Sequence, residues 1–212
     1  MTAKVVFVET NWVVDVLAPA HLQSPQALEL LARANSGELR IFVPHISLIE
    51  AQETIPRRFA SRSRSSSNEL RKFVRWARDE KRLSNQDANS AFRVFDQFEN
   101  LVISELNQIP NRLDNLRQHS GLCLFSLSEA MLERQVRIGA TTLNLKPYDL
   151  AILAAILVKA EEIYQEQKIE QFIFCELDSD LQPWNRDGQP KHLLSTLYQK
   201  ARIQVRPNFD ID

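Results

Sequence analysis

Glycine is nearly missing from this chain, four in 212 residues, and no glycine-rich loop of the kind that cradles phosphates can be found in it. The two cysteines, Cys123 and Cys175, are too few to build a zinc site unaided. Both lie in apolar runs, where they read as small packed hydrophobes, and a disulfide is not expected of a cytosolic chain. His21, His45, His119 and His192 show no i,i+4 pairing and no neighbouring nucleophile, which leaves a histidine-centred site without support. The longest unbroken apolar run, Leu150 to Val158, has nine residues, against the roughly 20 that a membrane span requires. It is expected to be a helix buried on most sides. No charged segment followed by a secretory apolar stretch is present, and the scarcity of glycine and proline argues against disorder. A cytosolic protein with no membrane partner is the expectation.

What is present suffices for a core. With 44% hydrophobic residues, the chain is expected to form one domain over 1–212. Short apolar runs alternate with longer segments of helical period, the pattern of a parallel sheet with crossover helices. The expected strands are Val5 to Val8, Ile41 to Val43, Leu122 to Phe125, Phe172 to Cys175 and Ile203 to Val205. The expected fold class is therefore α/β, a three-layer α/β/α arrangement with a parallel sheet of about five strands. In "SPQALELLARANSG", Ser24 caps a helix, Pro25 opens it, Leu28, Leu31 and Ala34 form its apolar set, and Gly37 stops it. Pro147 likewise opens a helix in "KPYDLAILAAILVKA". The stretch from Ile46 to about Gln118 is helical in pattern, with Leu70, Phe73, Val74 and Ala77 on one face. It makes a helical insertion at about 56–120, between strands two and three. One break is expected, at "PRRFASRSRSSS", as a mobile loop.

Charge is unevenly spread. From Arg57 to Arg82 there are eight Arg and two Lys against three acids, a net +7 in a chain whose total is −1. Such asymmetry is associated with nucleic-acid contact.

Four apolar runs end in acids. Strand one runs into Glu9, followed by Thr10 and Asn11; strand two leads into a helix whose first turn carries Glu50. The buried helix carries Asp149 on its first turn, and strand four runs on to Asp178 and Asp180. In an open parallel sheet, strand carboxyl ends and the following helix starts share one rim, where ligands bind. Singly, each acid has a structural explanation: Ser47-x-x-Glu50 matches a capping box, Asp149 meets a helix dipole, and Asp178-Ser-Asp180 fits a turn. Together, crowded carboxylates repel unless a hard cation sits among them.

In "VVFVETNWVVDVL", "VPHISLIEAQ", "LKPYDLAILAAIL" and "FIFCELDSDLQPW", taken in order, the chain resembles the PIN domain family of metal-dependent nucleases. The four blocks span about half of the chain. The resemblance implies an acidic cluster of Glu9, Glu50, Asp149 and Asp178, with Glu9, Asp149, Asp178 and Asp180 holding Mg²⁺ or Mn²⁺ and Thr10 and Asn11 orienting the first acid or a water. Glu9 departs from the family's usual Asp by one methylene. The implied activity is endoribonucleolytic hydrolysis of single-stranded RNA by a metal-activated water. Arg57, Arg58, Arg62, Arg64 and Arg71 are the expected grip on the RNA backbone, with Trp76 available to stack a base. A toxin of the VapC type, restrained by an antitoxin or another protein partner, falls within this reading, as does a homodimer. The alternative is a catalytically degraded PIN-like module that binds RNA or protein. Asp178-Ser-Asp180 also has the spacing of haloacid dehalogenase phosphatases, but it follows the fourth strand rather than the first. A receiver domain lacks its acceptor Asp after strand three.

Overall fold

The computed structural model describes residues 4–212. Its sheet consists of β1 (Lys4–Val8), β2 (Leu39–Pro44), β3 (Leu122–Phe125), β4 (Phe172–Cys175) and β5 (Ile203–Arg206). All neighbours pair in parallel, in the spatial order β3-β2-β1-β4-β5. The helices are α1 (Thr10–Leu17), α2 (Pro25–Asn35), α3 (His45–Asp79), α4 (Asn85–Asn107), α5 (Ile109–Arg117), α6 (Glu129–Gly139), α7 (Pro147–Gln167) and α8 (His192–Lys200). Among the described residues no helix is long and apolar enough to cross a membrane.

The sheet is covered on both faces, which is why its central strand is apolar throughout rather than alternating. On β1, Val6 and Val8 join the core under α1 to α5, whereas Val5 and Phe7 join the core under α6 to α8. Phe7 is fully buried, its ring centroid 5.6 Å from that of Phe42 on β2 and 5.9 Å from that of Phe172 on β4. Residues Ala151 to Val158 of α7 are all buried, as the unbroken apolar run predicts. At the start of β3, a Cβ on Gly121 would stand 2.4 Å from the Ala34 carbonyl carbon and oxygen, so only glycine lets the end of α2 lie there. That approach also sets the register of α2, which buries Ala27, Leu30 and Ala34 and leaves Leu28 exposed.

The expected mobile loop is not a loop. α3 continues unbroken through "PRRFASRSRSSS" for 35 residues with Pro56 inside it, and the true break is the turn before Ser84, whose Oγ accepts the Asp87 N–H at 3.1 Å. Serine and proline are poor evidence of a helix in isolation, even with arginines among them, but α4 returns alongside and supplies the packing that propensity does not. Phe59, Ser67, Val74 and Ala77 are buried on α3, while Leu70 and Phe73, expected on the same face as Val74, are exposed. The capping-box reading fails too: Pro44 precedes the first turn, and Ser47 is buried within it with its hydroxyl unpaired.

Candidate metal centre

From β1 the chain order runs outward to β2 and β3 on one side and to β4 and β5 on the other. The crevice between β1 and β4, at their carboxyl ends, is thus the topological switch point where ligands bind in such sheets. Glu9 follows β1 directly. Val8 pairs with Cys175 at the end of β4, so the next residues, Glu9 and Glu176, leave the sheet side by side.

Glu9 is only 4% exposed, and its Oε1 accepts the Asn11 N–H at 2.9 Å, capping α1. Glu176 is fully buried; its Oε1 accepts the Asp178 N–H at 2.6 Å and its Oε2 has no partner. Burial pushes the Glu9 carboxyl up to about 8, against the pull of its bonds to Asn11 and with help from the charges of Glu50 and Asp178. Burial first, and then Glu9, raise Glu176 well above the usual carboxylate range. Without a cation, Glu9 is therefore mostly protonated at neutral pH.

Both acids hold their protons more tightly folded than unfolded, so their stabilising contribution is complete below the unfolded pKa and is lost as pH rises through the folded one. Titration of Glu9 should lower the stability of the metal-free protein between about pH 4.5 and 8, by up to about 1.4 kcal/mol per pH unit, and Glu176 acts in the same direction. Urea denaturation across this range checks it. In Glu9→Gln the slope should be visibly shallower.

Glu50 lies on the second turn of α3, where Thr10 Oγ1 donates to its Oε2 at 2.5 Å. Thr10 thus orients Glu50, not the Glu9 carboxylate that the sequence pairs it with; Asn11 does serve Glu9. Asp149, in the first turn of α7, has a buried Oδ2 with no hydrogen-bond partner. Its pKa is raised by burial and by Asp178, while Lys146 opposes. Asp180 donates its N–H to Asp178 Oδ1 at 2.8 Å, so the turn reading of Asp178-Ser-Asp180 holds. That turn nevertheless brings one oxygen each of Asp149, Asp178 and Asp180 within 4.8 Å of one another. Oxygens bound to one Mg²⁺ at about 2.1 Å lie up to about 4.2 Å apart, so a small side-chain rotation closes the set. Three hard carboxylate donors and an unpaired Asp149 oxygen fit Mg²⁺ or Mn²⁺.

Glu9, Glu50, Asp149 and Asp178 line one cleft of about 180 Å³. Arg57 and Lys146 stand on its wall. Of the other expected RNA contacts, Arg58, Arg62 and Arg64 are exposed on α3, but Arg71 is held by Asp96 at 2.7 Å and Glu99 at 3.4 Å on α4. Trp76 packs on Phe73, and the Arg82 guanidinium covers its ring 5.3 Å from the centroid.

Glu176 is the site residue that the sequence reading passes over. The signal was present: the apolar run "FIFC" stops at Glu176, just as "VVFV" stops at Glu9. Compared with known protein families, curated proteins and solved structures, the chain matches none.

Proposed function

We propose that this protein is a metal-dependent endoribonuclease of the PIN-domain type that cuts single-stranded RNA in the cytosol. The observation that carries this reading is convergence: acids from positions 9, 50, 149 and 178, supplied by four separate segments, line one cleft at the switch point of the sheet. Asp149, Asp178 and Asp180 would hold Mg²⁺ or Mn²⁺, which when bound supplies Lewis acidity toward a phosphodiester. Glu50, oriented by Thr10, would accept a proton from an attacking water, and Arg57 and Lys146 would offset the acidic rim's repulsion of the substrate backbone. A protein partner that covers this rim would silence it, which is the antitoxin form of the proposal.

A second reading, a PIN-like module without catalysis, draws support from Glu9, whose carboxyl is buried, raised above the usual carboxylate range by that burial and engaged as a helix cap. One experiment separates the two. Mn²⁺ is titrated calorimetrically into the full chain, and an unstructured RNA is incubated with and without EDTA. The nuclease should bind Mn²⁺ and cut only without chelator; a chain that binds RNA equally in both conditions, takes up no Mn²⁺ and never cuts is the non-catalytic module.

A further inference from the structure

Helical spacing separates the cations of α3: Arg58 and Arg62 lie well round the helix from the line of Arg57, Arg64, Arg71 and Arg75. Glu50, Thr54 and Arg57 line the acidic cleft and stand at i, i+4 and i+7, hence on one side of the helix. The same spacing, carried outward, gives Ser61, Arg64, Asn68, Lys72 and Arg75. All five are exposed and none is acidic.

The remaining arginines of α3 lie off this row or are neutralised beside it, Arg78 by Asp79 at 3.0 Å. Arg58 lies over the Phe59 ring, and its charge offsets part of the burial-induced rise in the Asp15 pKa on α1. Arg62 borders an apolar groove with His21 and Phe98, and Arg71 is neutralised by Asp96 and Glu99. Among the described residues Arg57, Arg64 and Arg75 have no ion-pair partner, and Lys72 has only Glu69 at 2.7 Å, with both side chains well exposed. An exposed pair of that kind contributes little and yields readily to a stronger anion. A row of exposed cations, of which only Lys72 is ion-paired, starts at the wall of an acidic cleft and is an electrostatic guide for a polyanion.

We propose that this face of α3 is the track for a single-stranded nucleic acid, running from Arg57 at the cleft to Arg75, about 27 Å at 1.5 Å per residue. The identity of the phosphate at the cleft end as the one cleaved rests on the nuclease reading; the binding does not. A single strand is specified because the cations form one row, matching one phosphate backbone, and lead into a cleft of only about 180 Å³. Ser61 and Asn68 keep the path between the cations narrow in profile and polar.

The test measures binding of labelled oligouridylates of graded length to the full chain in EDTA, where cleavage is silent. Affinity should rise with length until the oligonucleotide spans the track. Combining Arg64→Ala, Lys72→Ala and Arg75→Ala should weaken binding at least tenfold and lower the slope of log K against log salt by about 2, at about 0.7 per lost phosphate contact. The Arg58→Ala and Arg62→Ala pair should bind like the parent. A triple variant that binds as the parent does, or a 58/62 pair that loses as much, overturns the track. So does duplex RNA of equal length binding as tightly, or polyglutamate competing as well as RNA, which would make the face a site for an acidic protein. Mn²⁺ affinity of the triple variant should be unchanged. A parent chain that binds oligouridylate in EDTA but takes up no Mn²⁺ sinks the nuclease reading and leaves the track standing.

Discussion

Asp149→Asn should abolish calorimetric Mn²⁺ binding and lower RNA cleavage by on the order of 10²-fold or more, with RNA affinity in EDTA unchanged. The substitution preserves shape while replacing one of the two carboxylate oxygens by a donor. The Oδ2 atom matters most, since it is buried, lacks a protein partner and belongs to the group whose oxygens cluster with those of Asp178 and Asp180. In the free protein the asparagine can donate to those neighbours, and the repulsion from Asp178 that raises the Asp149 pKa disappears. A variant with intact Mn²⁺ binding would show that the cation is held elsewhere. Preserved cleavage with lost Mn²⁺ binding would separate the metal from the chemistry.

The largest expected effect on stability comes from Phe7→Ala, a loss of about 3–5 kcal/mol. Phe7 sits on the central strand, fully buried, against aromatic rings from the strands on either side. Its removal opens a cavity between the sheet and α7 that neither can fill, since α7 is held by buried residues along eight consecutive positions. Urea denaturation should show a lower midpoint with an unchanged m-value. A loss under about 1 kcal/mol would mean that α7 settles onto the sheet more freely than its packing indicates.

All five strands were legible because each is a short apolar run bounded by polar residues, and a doubly covered sheet leaves little room for any other pattern. The rim acids were legible for the same reason: a strand that ends in a carboxylate announces where the apolar core stops. What sequence reasoning could not supply was partnership across the chain. The continuity of α3 through its serine and arginine stretch depends on α4, which approaches from 20 to 50 positions away, and local propensity carries no trace of it. Glu176 needed the register of β1 against β4 before its place beside Glu9 could be seen. The duties of Thr10 and Arg71 likewise depend on partners, Glu50 and Asp96, that lie on other helices.

Pro56 gives α3 an uneven stiffness. It has no N–H to offer the Gln52 carbonyl, so the helix loses one rung of its ladder just outside the cleft, between Glu50 and Arg57. A rod bends where its cross-links are fewest, so any flexing of α3 concentrates at this position and carries with it α4, which packs along the arm formed by the rest of α3. From Pro56 to Asp79 the arm measures about 34 Å, so a tilt of about 10° displaces its tip by about 6 Å while Glu50 and the acids of the rim stay in place. Leverage of this kind magnifies a small force at the distal turn into a large change of reach, while Arg57, next to the proline, moves least.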